Sequence, residues 1–194
     1  MELQQLGALL LFASVSTFTP GPNNLMLMTS GANVGFARTV PHMLGIAFGF
    51  AFMVLMVGIG LISVFNAYPM THTILKYASL GYLAYLACKI AMSGKAETKS
   101  DFKPMTFFGA VAFQWVNPKG WSMALSAVTL YSDGGNWWTL LVISCCFWFV
   151  NFPSGTFWIL VGRELQRWLT TPWRVRGFNI FMAVLLIGST LPML

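Results

Sequence analysis

Charged residues almost never interrupt this chain. Leu3 to Ala37 contains no Asp, Glu, Lys or Arg, and comparable charge-free runs recur to the far end. A bilayer-crossing helix needs roughly 20 predominantly apolar residues, and runs of this kind supply no charged face with which to coat a soluble globule. Of the 194 residues only 8% are charged and 57% are hydrophobic, whereas about a quarter of a soluble domain is charged. The runs predict an all-α integral membrane protein. Six transmembrane helices are expected at roughly 4–30, 40–64, 73–92, 105–130, 136–160 and 177–193, with no room for a separate soluble domain. The opening "MELQQLGALL" carries Glu2 and no basic residue; it lacks the positive n-region of a cleaved signal peptide, so the first helix is expected to remain.

A net charge of +6 raises the question of a polyanionic partner, and the distribution of the charge answers it. Arg38 falls between helices 1 and 2. Lys89, Lys95, Lys99 and Lys103 surround the link between 3 and 4, and Arg163, Arg167, Arg174 and Arg176 lie between 5 and 6. The opposite loops, "FNAYPMTH" and "YSDGGNW", have no Lys or Arg. Basic residues accumulate in cytoplasmic loops, so these three loops are expected in the cytoplasm and both termini outside. Topogenic charge accounts for the basicity, and no nucleic-acid partner is expected. Trp137 and Trp138 at the outer face, and Trp168 and Trp173 at the inner, suit interfacial belts.

The polar link "SGKAETKSDFKP", residues 93–104, divides the chain into segments 1–92 and 105–194 with three helices each. An odd number of crossings turns the second segment upside down relative to the first, the arrangement of inverted-repeat transporters. A matched irregularity in the two halves supports this. Helix 1 contains "TFTPGPNNLML" and helix 4 contains "FQWVNPKGWSM"; a shift of 98 positions sets Thr19-Pro20 against Asn117-Pro118.

Proline inside a helix removes a donor and clashes one turn back, yet suits the first position of a new helix. Thr19 and Asn117 are expected N-caps, with Pro20 and Pro118 at N1, so helices 1 and 4 each break into two halves near mid-bilayer. Because the two helices run in opposite directions, two half-helix N-termini would meet there. Free N–H groups and partial positive charge make such a place suited to an anion. Non-helical backbone at that depth needs surrounding protein or a water-filled cavity. Lys119 is a basic residue deep in a predicted span, and an intramembrane ionisable group is a functional candidate by default. Asn23, Asn24, Gln114 and Asn117 add hydrogen-bonding groups beside the breaks.

At these residues the chain resembles the LysE/RhtB family of bacterial amino-acid exporters. "TPGPNN" in the first helix, "NPKGW" in the fourth, the "GFAR" and "MLGIAFGF" region after the first box, six spans and the length carry the resemblance. It implies a single transporter domain over residues 1–194 in the bacterial inner membrane, exporting amino acids or their derivatives. Pro20, Gly21, Pro22, Asn23, Asn117, Pro118 and Lys119 carry over as motif residues. With Asn24 and Gln114 they form the expected substrate-binding set, and small neutral amino acids are the expected substrates.

Other features have structural readings. Gly45 and Gly49, a small-xxx-small pair in helix 2, predict close helix packing, and so do Gly58 and Gly60. Pro153 with Asn151 predicts a kink in helix 5. His42 and His72, near opposite helix ends, are expected at interfaces, and Asp133 in an outer loop. A thiol-disulfide carrier would need a redox pair beside the breaks, but Cys88, Cys145 and Cys146 lie elsewhere. A metal-ion carrier would need clustered intramembrane ligands, and the predicted spans hold no carboxylate. With no phosphate-cradling loop either, neither enzyme activity nor a cofactor or metal is expected. Secondary transport remains, with a non-transporting scaffold as the competing class. The expected partners are the amino acid, the lipid bilayer and, optionally, further copies of the chain.

Overall fold

The computed structural model describes residues 1–61, 70–92, 102–132 and 136–188. Every regular element among them is helical. Helix α1 (Leu3–Phe18) and α2 (Pro22–Val34) are separated by three residues. Gly35 then turns the chain into α3 (Phe36–Met56), which ends in a π-helical turn, Val57–Leu61. Helix α4 spans Met70–Met92. Helix α5 (Phe107–Phe113) tightens into a 3-10 turn at Gln114–Val116, and α6 (Pro118–Tyr131) follows after Asn117 alone. Helix α7 (Trp137–Gln166) is the longest, and α8 covers Pro172–Gly188. Gly35 has φ 78°, a left-handed conformation that side chains resist and glycine does not.

Helix α7 is the scaffold. Its 30 residues make a rod of about 45 Å, longer than the roughly 30 Å hydrocarbon core, and α1, α2 and α3 pack along it. A Cβ at Gly162 would strike the Met28 carbonyl of α2, and one at Gly31 would strike the Ile159 backbone of α7. Small residues that let helix backbones touch are how membrane helices associate without a hydrophobic driving force. Gly45 and Gly49 behave as expected: added side chains would meet Phe107 and, at 2.7 Å, Val111, so α3 lies directly on α5. Gly58 likewise abuts Leu140, whereas Gly60 has φ 115° and serves the turn. Helix α7 passes continuously through Pro153, and Asn151 Nδ2 donates to the Phe147 carbonyl one turn back at 2.8 Å.

Two apolar clusters lie on either side of the breaks. One gathers Leu9 and Ala13 of α1, Phe50 and Met53 of α3, Ala124 of α6 and Phe147 of α7. The other gathers Leu25 and Met28 of α2, Leu83 of α4, Phe113 of α5 and Met182 of α8. The chain therefore leaves one core and enters the other at each break. The exterior inverts the soluble pattern: Leu11, Phe108, Phe149 and Phe181 are exposed while Asn24, Gln114, Asn117 and Asn179 are buried. Lipid is the solvent such a surface requires. Trp138, Trp168 and Trp173 project outward, and Arg174 lies 5.6 Å over the Trp173 ring.

Helices Phe36–Gly60 and Trp137–Leu165 are by themselves long and apolar enough to cross a membrane; Leu3–Phe18 and Phe107–Val116 are apolar but short. Helix α7 extends beyond the predicted end at residue 160, and in its last turn Glu164 pairs with Arg163 and Arg167 and stays exposed. Asp133, most of the link 93–104 and the side chain of His72 lie outside the described residues.

Candidate functional site

Neither Pro20 nor Pro22 has an N–H, so the last carbonyls of α1 cannot all be satisfied by helical donors. The expected cap at Thr19 with Pro20 at N1 is corrected: Gly21 is the N-cap of α2 and Pro22 its N1 residue. Two prolines compete for one N1 position, and only Pro22 is followed by continuous helix. Thr19 instead ends α1, its N–H and its Oγ1 both donating to Val15 O. At the second break Asn117 and Pro118 are N-cap and N1 of α6 as expected. The matched pair is thus Gly21-Pro22 with Asn117-Pro118, two residues from the correspondence read in the sequence. Neither α2 nor α6 has a side-chain cap.

Side chains from elsewhere saturate the carbonyls that α1 leaves open. Asn24 Nδ2 donates to Thr17 O at 2.6 Å and to Thr19 O at 2.8 Å. Ser154 Oγ, from α7, donates to Thr17 O at 2.9 Å. Lys119, from the first turn of α6, donates Nζ to Thr19 O at 2.5 Å and reaches Pro20 O at 3.4 Å. A helix C-terminus carries partial negative charge and stabilises a cation. Lys119 therefore does not stand free between two N-termini, as the sequence suggested, but closes the end of α1. Gly21 makes this possible. Its extended backbone, φ −176°, suits any residue, but a Cβ there would lie 2.6 Å from Lys119 Cδ.

Asn23 and Gln114 join the two breaks by a reciprocal amide pair, Nδ2 to Oε1 at 2.9 Å and Nε2 to Oδ1 at 3.3 Å. Gln114, fully buried, also donates to Ala110 O at 2.9 Å. Beside the pair lies a cavity of about 30 Å³ bordered by Gly21, Asn23, Asn24, Asn117, Lys119 and Asn151, room for little more than one water. Asn117 Oδ1 is buried there and has no hydrogen-bond partner among the described residues. Of the expected set, Pro20, Pro22, Pro118 and Gln114 shape or brace the cavity without lining it. Sequence reasoning missed Ser16, Thr17 and Ser154; hydroxyls are common in membrane helices, where they bond back to their own backbone, as Ser16 and Thr17 do to Phe12 O and Ala13 O. It also read Asn151 only as part of a kink. His42 is a second correction: only 1% exposed rather than interfacial, it lies in the second turn of α3 with both ring nitrogens buried and without hydrogen-bond partners among the described residues.

The family model for the LysE type translocator matches residues 14–193, across both breaks. The chain belongs to the LysE type translocator family. A cysteine/O-acetylserine efflux protein of Escherichia coli O139:H28 is 27% identical to this LysE type translocator over 186 residues, spanning 94% of the chain and 93% of the relative. Proteins of the same description from Escherichia coli K12 and Shigella sonnei are 26% identical with the same coverage. No solved structure matches this LysE type translocator. Its transmembrane helices meet at the two proline breaks, and that meeting point is its candidate substrate site.

Proposed function

We propose that this protein is a secondary transporter that exports small neutral amino acids or their derivatives across the bacterial inner membrane. The observation that carries the reading is the meeting of two proline-initiated, uncapped helix starts with Lys119 and the Asn23–Gln114 pair around one small cavity. Six spans in two inverted repeats follow, with α1/α2 and α5/α6 the halves of the broken first and fourth spans. The names of the relatives support efflux of serine- and cysteine-like compounds.

The chemistry favours a zwitterion. A carboxylate is stabilised by the free N–H groups of α2 and α6 and by Lys119; an ammonium is stabilised by the carbonyls that Lys119 now occupies and by Asn117 Oδ1. A cavity of about 30 Å³ is too small for an amino acid, so this conformation is closed and loading requires Lys119 to leave the α1 carbonyls. Among the described residues that line this cavity, a second cation finds no carboxylate to pair with. At an effective dielectric near 20 and a separation of about 6 Å, repulsion from Lys119 costs about 3 kcal/mol, on the order of a hundredfold in affinity.

Overproducing cells should release small neutral amino acids, cysteine and O-acetylserine among them, into the medium. In inverted vesicles, neutral amino acids should compete with a labelled substrate at least about tenfold better than lysine or arginine. Equal competition by the basic pair overturns the zwitterion site, and no release of any amino acid overturns transport itself. Orientation is tested separately: a reporter fluorescent only in the cytoplasm should light when fused at Ala96 and stay dark at Leu194.

A further inference from the structure

A second cavity, of about 420 Å³, opens on the basic side of the molecule between α2, α4 and the segment leading into α5. Its volume falls in the roughly 300–1,000 Å³ range of small-molecule sites, unlike the one-water space at the breaks. The deep wall carries His42, whose two ring nitrogens are buried without hydrogen-bond partners among the described residues. Leaving a buried imidazole unsatisfied is destabilising, a cost that a ligand bonding to it would remove. Ser30, Lys89, Lys103, Tyr82 and Tyr85 also line the cavity, the two tyrosine ring centroids 6.0 Å apart. Among the described residues no carboxylate lines it.

We infer that this cavity is a loading site, where a neutral amino acid coming from the cytoplasm binds before it reaches the breaks. The inference rests on the export reading above. Lys89 and Lys103 attract the carboxylate. The ammonium is held by the acceptor nitrogen of His42 and by the tyrosine faces, which favour cations. The path onward follows α2. Met26 and Ser30 of the loading site lie three and seven residues beyond Asn23, on the same helix face. The Asn23–Gln114 pair therefore stands between the two cavities, and it must part for the substrate to advance.

The test is equilibrium binding of radiolabelled L-cysteine, kept reduced, to the full-length protein in lipid nanodiscs, with transport measured in parallel in inverted vesicles. His42→Leu, which keeps the volume and removes both nitrogens, should weaken binding about tenfold. His42→Gln should restore binding to within about threefold of wild type. Lys119→Met should still bind L-cysteine while failing to transport it. Wild-type binding by His42→Leu, with binding lost in Lys119→Met, overturns the loading site and leaves the site at the breaks standing. Wild-type transport by Lys119→Met overturns the site at the breaks, whatever His42 does. Should His42→Leu not fold, Tyr85→Ala replaces an exposed wall residue and should lower affinity about threefold; unchanged binding there overturns the inference too.

Discussion

The two breaks look alike in the sequence and differ in chemistry. At the first, an extended link leaves the carbonyls of Thr17, Thr19 and Pro20 to be satisfied by Asn24, Ser154 and Lys119. At the second, one residue interrupts the helix and the backbone closes on itself: Asn117 N donates to Gln114 O at 3.2 Å, and Trp121 Nε1 donates to Trp115 O at 2.9 Å across the gap. The first break is rich in acceptors and borrows donors. The second finds partners for its Gln114 and Trp115 carbonyls close by and lends Lys119. The two breaks are thus a complementary pair, and the candidate site lies in the difference between them.

The most severe way to break that complementarity is to remove the loan. Lys119→Met should abolish export while insertion stays normal, because Met fills similar space without an ammonium; wild-type export by the purified variant would show that the carbonyls of α1 need no cation. Gly21→Ala attacks the same contact from the other side. Its Cβ displaces Lys119 rather than straining a backbone that accepts any residue, so transport should fall about tenfold with little change in stability. A proteoliposome assay and a thermal melt separate the two. If the melt drops and the specific rate holds, glycine is needed there for folding and not for Lys119.

How far could this be read in advance? The breaks were legible because proline punctuates a helix wherever it stands, and Lys119 because charge in a lipid-bound run demands a reason. Its partner was not, since the Thr19 carbonyl lies 100 residues away in sequence and backbone oxygens carry no residue signature. The start of α2 was misplaced for a local reason: Pro20 and Pro22 satisfy the same rule, and only packing selects between them. His42 was misread because nearness to a helix end resembles exposure until tertiary packing buries it. The helical character of the apolar runs was readable from charge spacing, whereas the inward turn of Thr17 and Ser154 depends on how α1 lies on α7.

Smaller effects sharpen the comparison. Asn23→Ala and Gln114→Ala each remove half of the amide pair that bridges the breaks. Each should weaken transport by about 1 kcal/mol in activation or binding, the worth of a neutral hydrogen bond. The double variant should cost less than the sum of the two, because the groups share one interaction; strict additivity would mean that they act separately. Smallest is Asn117→Ala. Its side chain caps nothing and its Oδ1 is unpartnered, so stability should hold while substrate KM rises about threefold. A fall in melting temperature without a kinetic change would assign Asn117 to the fold.

The one-water cavity has an electrical meaning. The bacterial inner membrane stores energy as a voltage, and each elementary charge that leaks across dissipates about 2.3 kcal/mol per 100 mV. A wide, wet passage would let protons hop along its waters and discharge the cell during every idle moment. At the breaks the cavity has room for little more than one water. A transporter that holds so little water at its centre between cycles would spend little of the gradient on copies that stand idle.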